Sequence, residues 1–233
     1  MAVVILSWNG RAYLEKFLPS VCASSYPGLK IYVADNASTD DSIEFLQQHF
    51  PQVIIIRNSL NEGFAKGYNT ALSQVQSDYY VLLNQDVEVT PGWIEPVIAL
   101  METDKNIAAC QPKILSFHQR YNFNSDGAAG GWIVSFGYTF CRGRIFDTVE
   151  NDVGQYDDVQ KIFWATGAAL FIKSKAYHAA GGLDDFFFAH MEEVDLCWRL
   201  QISGYQIACC PQPVVYHVGG GSLPQGNPHK TYL

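Results

Sequence analysis

Short apolar runs and amphipathic segments alternate along roughly the first hundred residues of the chain. Four continuous runs rich in β-branched or aromatic residues predict strands, over residues 3–7, 31–34, 53–57 and 79–83. Between these runs apolar residues recur at helical spacing, as do Leu14, Phe17, Leu18 and Val21. Strands of this kind separated by helices are typical of parallel βαβ units. We therefore expect an α/β fold with a mostly parallel central sheet and helices on both faces.

The pattern is less regular in the second half of the chain. Thr90 followed by Pro91 predicts the start of a helix that runs to about residue 101. Residues 116–160 are rich in glycine and aromatic residues with weak periodicity, which predicts a long irregular region or short hairpins. Regular elements then return, with strands at 167–172, 206–210 and 214–216 and helices near 175–180 and 192–203.

Composition and charge exclude several classes of protein. A hydrophobic content of 48% with 16% charged residues excludes a disordered chain. A net charge of -8 argues against a nucleic-acid partner and against simple electrostatic docking on anionic lipid. No apolar stretch approaches the roughly 20 residues of a membrane-spanning helix, and the six cysteines lack Cys-x-x-Cys spacing. We expect a cytoplasmic protein with reduced thiols and no transmembrane segment; association with the inner face of the membrane stays open.

Polar residues follow the ends of the first four predicted strands. Ligands bind at the carboxyl ends of parallel strands, so these residues mark one candidate cleft. They are Ser7 and Asn9, then Asp35, then Asn61, Gly63 and Lys66, and finally Asn84 and Asp86. The segment lacks Gly-x-Gly-x-x-Gly after the first strand and has no P-loop spacing, which argues against dinucleotide and NTPase sites.

Single members of this set also have plain structural explanations. Asp35 fits a turn or helix cap, and Lys66 fits a solvated helix residue. Asp86, at the end of a buried strand, suits a hard cation such as Mg²⁺ or Mn²⁺, which prefers oxygen ligands. His217 follows an apolar strand and precedes glycines, so it is either a surface histidine or a metal ligand.

Three acids in four residues open the helix predicted at residue 192. Glu192, Glu193 and Asp195 would be stabilised there by the helix dipole, but one of them in an apolar pocket would serve as a general base. Earlier in the chain, Trp164 is either a core residue or a stacking surface for a sugar ring, and Gly167 follows it closely.

In their order and spacing these segments resemble the family 2 glycosyltransferases, most closely the rhamnosyltransferase-like branch. The resemblance covers about residues 3–222 and is carried by segments 3–9, 35–40, 61–65, 84–86, 167–169, 182–187 and 192–196, and by His217. It implies the GT-A fold in one domain over residues 1–233. Residues 1–112 would bind a nucleotide sugar and residues 113–222 would bind the acceptor and catalyse. A tail over 223–233 leaves open whether the chain continues.

The resemblance also assigns roles to the candidate residues. Asp35 would bind the nucleobase, with the donor pocket completed by Ser7, Asn9, Asn61, Gly63, Lys66 and Asn84. Asp86 matches the last acid of the family's Asp-x-Asp motif and would contact Mg²⁺ or Mn²⁺, which His217 would also coordinate. Residues 192–195 match Glu-Asp-x-Asp, which makes Glu193 the base, with Glu192 or Asp195 as alternatives. Trp164 and Gly167 would face the acceptor.

The implied function is an inverting, metal-dependent transfer of a sugar from a nucleoside-diphosphate donor, of the dTDP-rhamnose or UDP-sugar type. The acceptor would be a hydroxyl of a saccharide or lipid-linked saccharide in cell-surface polysaccharide synthesis. Two alternatives remain. A sugar nucleotidyltransferase needs a glycine-rich first loop that residues 7–11 do not supply. A nucleotide-sugar-binding protein with a weakened catalytic site would fit Asn84 and Glu193, which depart from the family motifs. The sequence leaves the oligomeric state open.

Overall fold

A nine-stranded sheet forms the centre of the computed structural model, which describes residues 1–124, 127–145 and 148–219. The predicted tail at 223–233 and the glycines at 220 and 221 lie outside the described residues. The first half contains β1 (Ala2–Ser7), α1 (Arg11–Cys22), β2 (Lys30–Asp35), α2 (Ser42–His49), β3 (Ile54–Arg57), α3 (Gly63–Leu72), β4 (Tyr79–Asn84), β5 (Val87–Val89), α4 (Glu95–Thr103) and β6 (Ile107–Ser116).

The second half begins with short strands and ends with two helices and a long strand. Its elements are β7 (Gly131–Ile133), β8 (Thr139–Cys141), β9 (Arg144–Ile145), β10 (Thr148–Val149), β11 (Gln160–Ile162), β12 (Ala169–Lys173), α5 (Ser174–Ala179), α6 (Glu192–Ile202) and β13 (Gln206–His217). Among the described residues, no helix is both long and apolar enough to cross a membrane.

The strand order of the large sheet is β11-β13-β6-β12-β4-β1-β2-β3, and β5 pairs with β13. Strands β1, β2, β3 and β4 are mutually parallel, while β12 runs antiparallel between β4 and β6. Strand β13 is parallel to β6. Most strands therefore point the same way, and their carboxyl ends meet at one edge of the sheet, as the sequence predicts.

Two hydrophobic cores cover the two faces of this sheet. Alternate residues of a strand face opposite sides, so Val4 of β1 packs into one core while Val3 and Ile5 pack into the other. Helices α3, α5 and α6 contribute to the first core, and α1, α2 and α4 contribute to the second. The predicted α/β architecture with helices on both faces is confirmed.

Three predicted elements differ from the structure. Helix α4 begins at Glu95, with Pro96 in its first turn, and not at Pro91. The Thr90 hydroxyl instead donates a hydrogen bond of 2.7 Å to the Val214 carbonyl, because the segment before α4 forms strand β5. The two short strands predicted at 206–210 and 214–216 are one strand, β13, with a register shift between Cys210 and Val214.

The region predicted as irregular or as short hairpins contains a separate four-stranded sheet in the order β10-β9-β8-β7. Lys113 of β6 is buried, and its ion pairs connect the segment that contains Asp152 and Asp157 to the large sheet. Its ammonium contacts Asp152 at 2.8 Å and also pairs with Asp157. Burial acts to lower the pKa of Lys113, but hydrogen bonds and charge from both carboxylates outweigh it and raise the pKa. The lysine therefore stays charged in the interior.

Asp152 is more important for stability than Asp157, because its side chain is 14% exposed and that of Asp157 is 63% exposed. We expect Asp152→Asn to reduce the free energy of unfolding by about 1–3 kcal/mol, since it weakens the pairing of a buried charge. The matched variant Asp157→Asn should cost less than about 1 kcal/mol, as exposed ion pairs do. Urea unfolding followed by tryptophan fluorescence measures both, and equal losses would contradict this ranking.

Candidate active site

The carboxyl ends of β1, β2 and β4 form the floor of the site. Ser7, which ends β1, lies in register with Asp35, which ends β2. The Ser7 hydroxyl donates a hydrogen bond of 2.7 Å to Gln85, the residue before Asp86. This contact is close to Gly10, where an added Cβ would lie 2.4 Å from the Ser7 hydroxyl. The glycine thus lets the first loop pass against the end of β4.

Asp35 presents an unsatisfied carboxylate oxygen at this edge. The side chain is buried, and its Oδ2 accepts a hydrogen bond of 3.2 Å from the backbone N–H of Ser38. Its Oδ1 is also buried and has no hydrogen-bond partner among the described residues. A buried acceptor without a partner is costly, so an N–H or O–H donor of a ligand would be favoured there.

An asparagine cluster connects the end of β2 to the start of α3. The Asn36 amide donates to Asn61 Oδ1 at 2.8 Å and to the Gly63 carbonyl at 3.1 Å. Asn58 donates to Asn36 Oδ1 and to the Gly67 carbonyl, both at 3.1 Å. Asn61 Oδ1 also accepts a hydrogen bond of 3.1 Å from the Gly63 N–H. Asn61 and Gly63 therefore shape the loop that opens α3.

Two predicted donor-site residues are engaged with neighbouring residues in this structure. Asn9 has a left-handed backbone with φ 47°, and its side-chain oxygen accepts a hydrogen bond of 2.8 Å from the Thr39 N–H. Lys66 pairs with Glu62 one turn earlier in the sequence, and this hydrogen bond and charge raise the pKa of Lys66. That either residue binds a donor stays a prediction.

Asp86 and His217 meet in the interior at the same edge. Asp86 Oδ1 lies 3.2 Å from His217 Nε2, and both side chains are buried. Burial acts to raise the pKa of Asp86, but the hydrogen bond and charge of His217 outweigh it, so the pKa is lowered. The Asn84 amide nitrogen lies 3.4 Å from the same histidine nitrogen. Asp86 is therefore held as a carboxylate.

Asn124 orients the histidine ring. Its Oδ1 lies 3.2 Å from His217 Nδ1, and its amide donates a hydrogen bond of 2.9 Å to the His217 carbonyl. The first contact is favourable when Nδ1 carries the proton. A neutral ring would then turn the Nε2 lone pair toward the Asp86 carboxylate, so these two acceptors need a proton or a metal ion between them.

This pair of ligands fits a hard divalent cation. Mg²⁺ is usually held by one or two carboxylates together with substrate phosphate oxygens and water, and Mn²⁺ prefers the same oxygen donors. Among the described residues, no group of three or more His, Cys, Asp and Glu side chains offers a fuller set of ligands. Asp86 and His217 would thus hold the metal with help from a ligand.

The three acids of α6 have different environments. Glu192 is buried, and burial together with the charge of Glu193 raises the pKa of Glu192 to about 9. Glu193 is half-buried. Asp195 accepts a hydrogen bond of 2.8 Å from Arg199, which also donates at 2.8 Å to the Gly182 carbonyl. Asp195 therefore helps to fix the loop before α6, which favours Glu193 over Asp195 as a base.

Gly167 connects α6 to the donor side of the site. A Cβ added at Gly167 would lie 3.4 Å from the Phe64 ring of α3 and 4.0 Å from Glu193 Cβ. The next residue, Ala168, accepts a hydrogen bond of 3.0 Å from the Asn84 N–H. Contacts thus run from Asp86 and Asn84 through residues 167 and 168 to Glu193.

The described contacts bring most predicted residues to one edge, but Trp164 is placed in the core. Its ring is buried against Gly131, and its indole N–H donates a hydrogen bond of 3.1 Å to the Trp132 carbonyl. Its predicted contact with an acceptor stays a prediction. Sequence reasoning did not identify Asn36, Gln85 or Asn124 as supporting residues. Gln85 lies within the predicted Asn84–Asp86 segment, whereas no signal marked Asn124.

Comparison with known proteins identifies the family of this chain and the class of its fold. The family model for Glycosyl transferase family 2 matches residues 2–155, and the chain belongs to this family. The crystal structure of GalNAc-T7 with UDP, GalNAc and Mn²⁺ superposes with a TM-score of 0.76 at 18% identity, over 93% of this chain and 43% of that chain. The fold is the GT-A fold.

Two curated relatives are rhamnosyltransferases by name. N-acetylglucosaminyl-diphospho-decaprenol L-rhamnosyltransferase of Mycobacterium tuberculosis is 24% identical over 232 residues, covering 93% of this chain and 75% of that protein. Rhamnosyltransferase WbbL of Escherichia coli K12 is 23% identical over 223 residues, covering 90% and 80%. The resemblance to the rhamnosyltransferase-like branch of the family is confirmed.

The contact between Asn124 and His217 can be tested without a substrate. We expect Asn124→Ala to weaken Mn²⁺ binding by about 10–100-fold, because residues that orient a metal ligand contribute on that scale. Titration calorimetry with MnCl₂ in the presence of UDP measures this change. Asn122→Ala is the matched control, since the Asn122 side chain bonds only Gln119 among the contacts described. Equal Mn²⁺ affinity in the two variants would show that Asn124 does not contribute to the metal site.

Proposed function

We propose that this chain is an inverting, metal-dependent glycosyltransferase. It takes a sugar from a nucleoside-diphosphate donor of the dTDP-rhamnose or UDP-sugar type. It moves the sugar to a hydroxyl of a saccharide or lipid-linked saccharide, in cell-surface polysaccharide synthesis beside the membrane. The observation that carries the proposal is the buried Asp86–His217 pair at the sheet edge that also holds the unsatisfied oxygen of Asp35.

On this proposal the donor binds along the ends of β1, β2 and β4. Asp35 Oδ1 accepts a hydrogen bond from the nucleobase or ribose, and Ser7 and the Asn61–Gly63 loop line the same side. Asp86 and His217 would hold a Mg²⁺ or Mn²⁺ ion. When bound, that ion supplies positive charge next to the departing diphosphate. The names of the relatives support the class of donor, and the Mn²⁺ in the GalNAc-T7 structure supports a divalent metal.

Glu193 is the base of the reaction. Its carboxylate accepts the proton of the acceptor hydroxyl, whose oxygen forms a bond to the anomeric carbon. The bond between that carbon and the diphosphate oxygen breaks, and its electron pair leaves with the nucleoside diphosphate. Attack from the face opposite the leaving group inverts the anomeric configuration. The position of Glu193 beside Gly167, whose neighbour Ala168 bonds Asn84, supports this role.

Asp86→Ala should remove metal-dependent donor binding and turnover together. We expect Mn²⁺ to stop strengthening the binding of UDP or dTDP, and turnover to fall by about 10²–10³, the scale for losing one electrostatic element. Calorimetry with and without MnCl₂ and a donor-consumption assay measure both. Glu88→Gln is the control, because this nearby acid pairs with Arg120 at the surface. If Asp86→Ala kept Mn²⁺-dependent binding, the proposed metal site would be wrong.

Glu193→Gln should separate chemistry from donor binding. We expect turnover to fall by about 10²–10⁴, the usual contribution of a general base, while the affinity for UDP or dTDP stays at the level of the parent protein. Release of free sugar from dTDP-rhamnose and UDP-sugars reports turnover. Glu95→Gln, which changes an exposed first-turn acid of α4, is the control. Normal turnover in Glu193→Gln would contradict its role as the base.

The same assays separate the proposal from a catalytically weakened nucleotide-sugar-binding protein. That alternative predicts binding of a nucleoside diphosphate but no sugar release or transfer from any donor in the parent protein. Turnover that depends on both Asp86 and Glu193 would exclude it.

A further inference from the structure

Two neighbouring carboxyl groups begin α6, and their side chains are buried to different extents. Glu192 is 4% exposed, whereas Glu193 is half-buried, with its Oε2 atom also buried. Glu192 Oε2 is buried and has no hydrogen-bond partner among the described residues. The first turn of a helix usually stabilises ionised acids through its free N–H groups. Here that stabilisation is opposed by the loss of hydration, which disfavours an ionised carboxyl strongly.

The groups packed around Glu192 add little positive charge. On its own helix, Glu193 is negative and Asp195 is paired with Arg199. Facing it from α3 is Tyr68, a buried hydroxyl whose pKa is raised mainly by burial and, when Glu192 is ionised, further by the charge of Glu192. Cys197, five residues further along α6 and close to Glu193 and Asp195, is a buried thiol whose pKa burial raises to about 12. At neutral pH these groups offer Glu192 no cation to pair with apart from the already paired Arg199.

We propose that Glu192 is a positioning residue that stays protonated in the folded protein, so that the adjacent carboxyl pair carries one negative charge, located on Glu193. The consequence for catalysis rests on the proposed function. An uncharged Glu192 leaves Glu193 as the single proton acceptor of the pair. It also keeps a second negative charge away from a site that must receive a diphosphate. The protonation itself is a property of the fold and holds with or without transfer activity.

The dependence of stability on pH tests the protonation directly. The pKa of Glu192 is about 9 in the folded protein against 4.5 for the free side chain. Its protonated form therefore contributes stability that is fully present below pH 4.5 and is lost as pH rises toward 9. In this window the unfolding equilibrium constant of the parent protein should rise, relative to Glu192→Gln, by about tenfold per pH unit.

The measurement is urea unfolding at several pH values between roughly 5 and 8.5, which lie in the middle of that window. Glu193→Gln is the matched control, because it keeps Glu192 in its buried place and should keep a pH dependence that Glu192→Gln lacks. Parallel stability curves for the parent protein and Glu192→Gln would overturn the proposal. Stability curves that diverge between the parent protein and Glu192→Gln, while the curve of Glu193→Gln follows the parent protein, would support it.

Infrared spectroscopy of the parent protein gives an answer even if Glu192→Gln fails to fold. A protonated carboxyl has a carbonyl stretch distinct from that of a carboxylate, and this band should be present at neutral pH and disappear as pH rises past about 9. Absence of the band at neutral pH would overturn the proposal.

Kinetics then test the catalytic consequence. In an active transferase, kcat/KM of the parent protein should fall as Glu192 ionises at high pH, and the profile of Glu192→Gln should lack that fall. If the two profiles fall equally at high pH, the proposed link between the protonation of Glu192 and catalysis would be wrong. If no donor is turned over at all, the proposed function fails, while the unfolding and infrared results still decide the protonation of Glu192.

Discussion

Backbone pairing between β13 and β5 is the constraint on which the candidate metal site depends. His217, the last residue of β13, lies opposite Val87 of β5, and Val87 immediately follows Asp86. The pairing also explains why the chain turns back directly after β4. His217 also pairs with Ser116 of β6, so the two ladders together hold the end of β13 beside the polar segment at 84–86. One short antiparallel ladder thus brings together His217 and Asp86, which are 131 positions apart in the sequence.

The protein contains several buried polar groups, in the site and elsewhere, and each is stabilised differently. Lys113 keeps its charge because two carboxylates surround it. Asp86 keeps its charge because His217 adjoins it. Asp35 has one satisfied oxygen and one without a partner among the described residues, which leaves a place for a ligand donor. Glu192 has a buried oxygen without a hydrogen-bond partner among the described residues, so neutralisation by a proton costs less free energy than burying the charge. Whether a buried acid keeps its charge therefore depends on the opposite charges near it, which the sequence alone does not show.

Sequence reasoning identified the repeating βα units well because their pattern is local. Continuous apolar runs and helical spacing reflect burial on one or both faces, and the helices on both sides of the sheet follow from that. It failed where tertiary contacts override local signals. Thr90-Pro91 looks like a helix start, but Thr90 bonds the Val214 carbonyl across the sheet and α4 begins at Glu95. The two apolar runs of β13 also looked separate, because Pro211 and Pro213 interrupt them at the register shift.

The candidate site was predictable to a similar extent. Residues directly after strands could be named, since parallel strands place their ends together. Asn124 could not, because it lies in a region without periodicity and acts only through its contact with His217. The environment of each acid was equally unpredictable. Glu192 and Glu193 are identical in chemistry and adjacent in sequence, and only the fold decides which side chain is buried more deeply. A helix of 3.6 residues per turn points neighbours about 100° apart, so one acid of such a pair enters the core when the other faces the cleft. Because of this geometry, two adjacent glutamates become different chemical groups: one is suited to hold a proton and the other is suited to accept one.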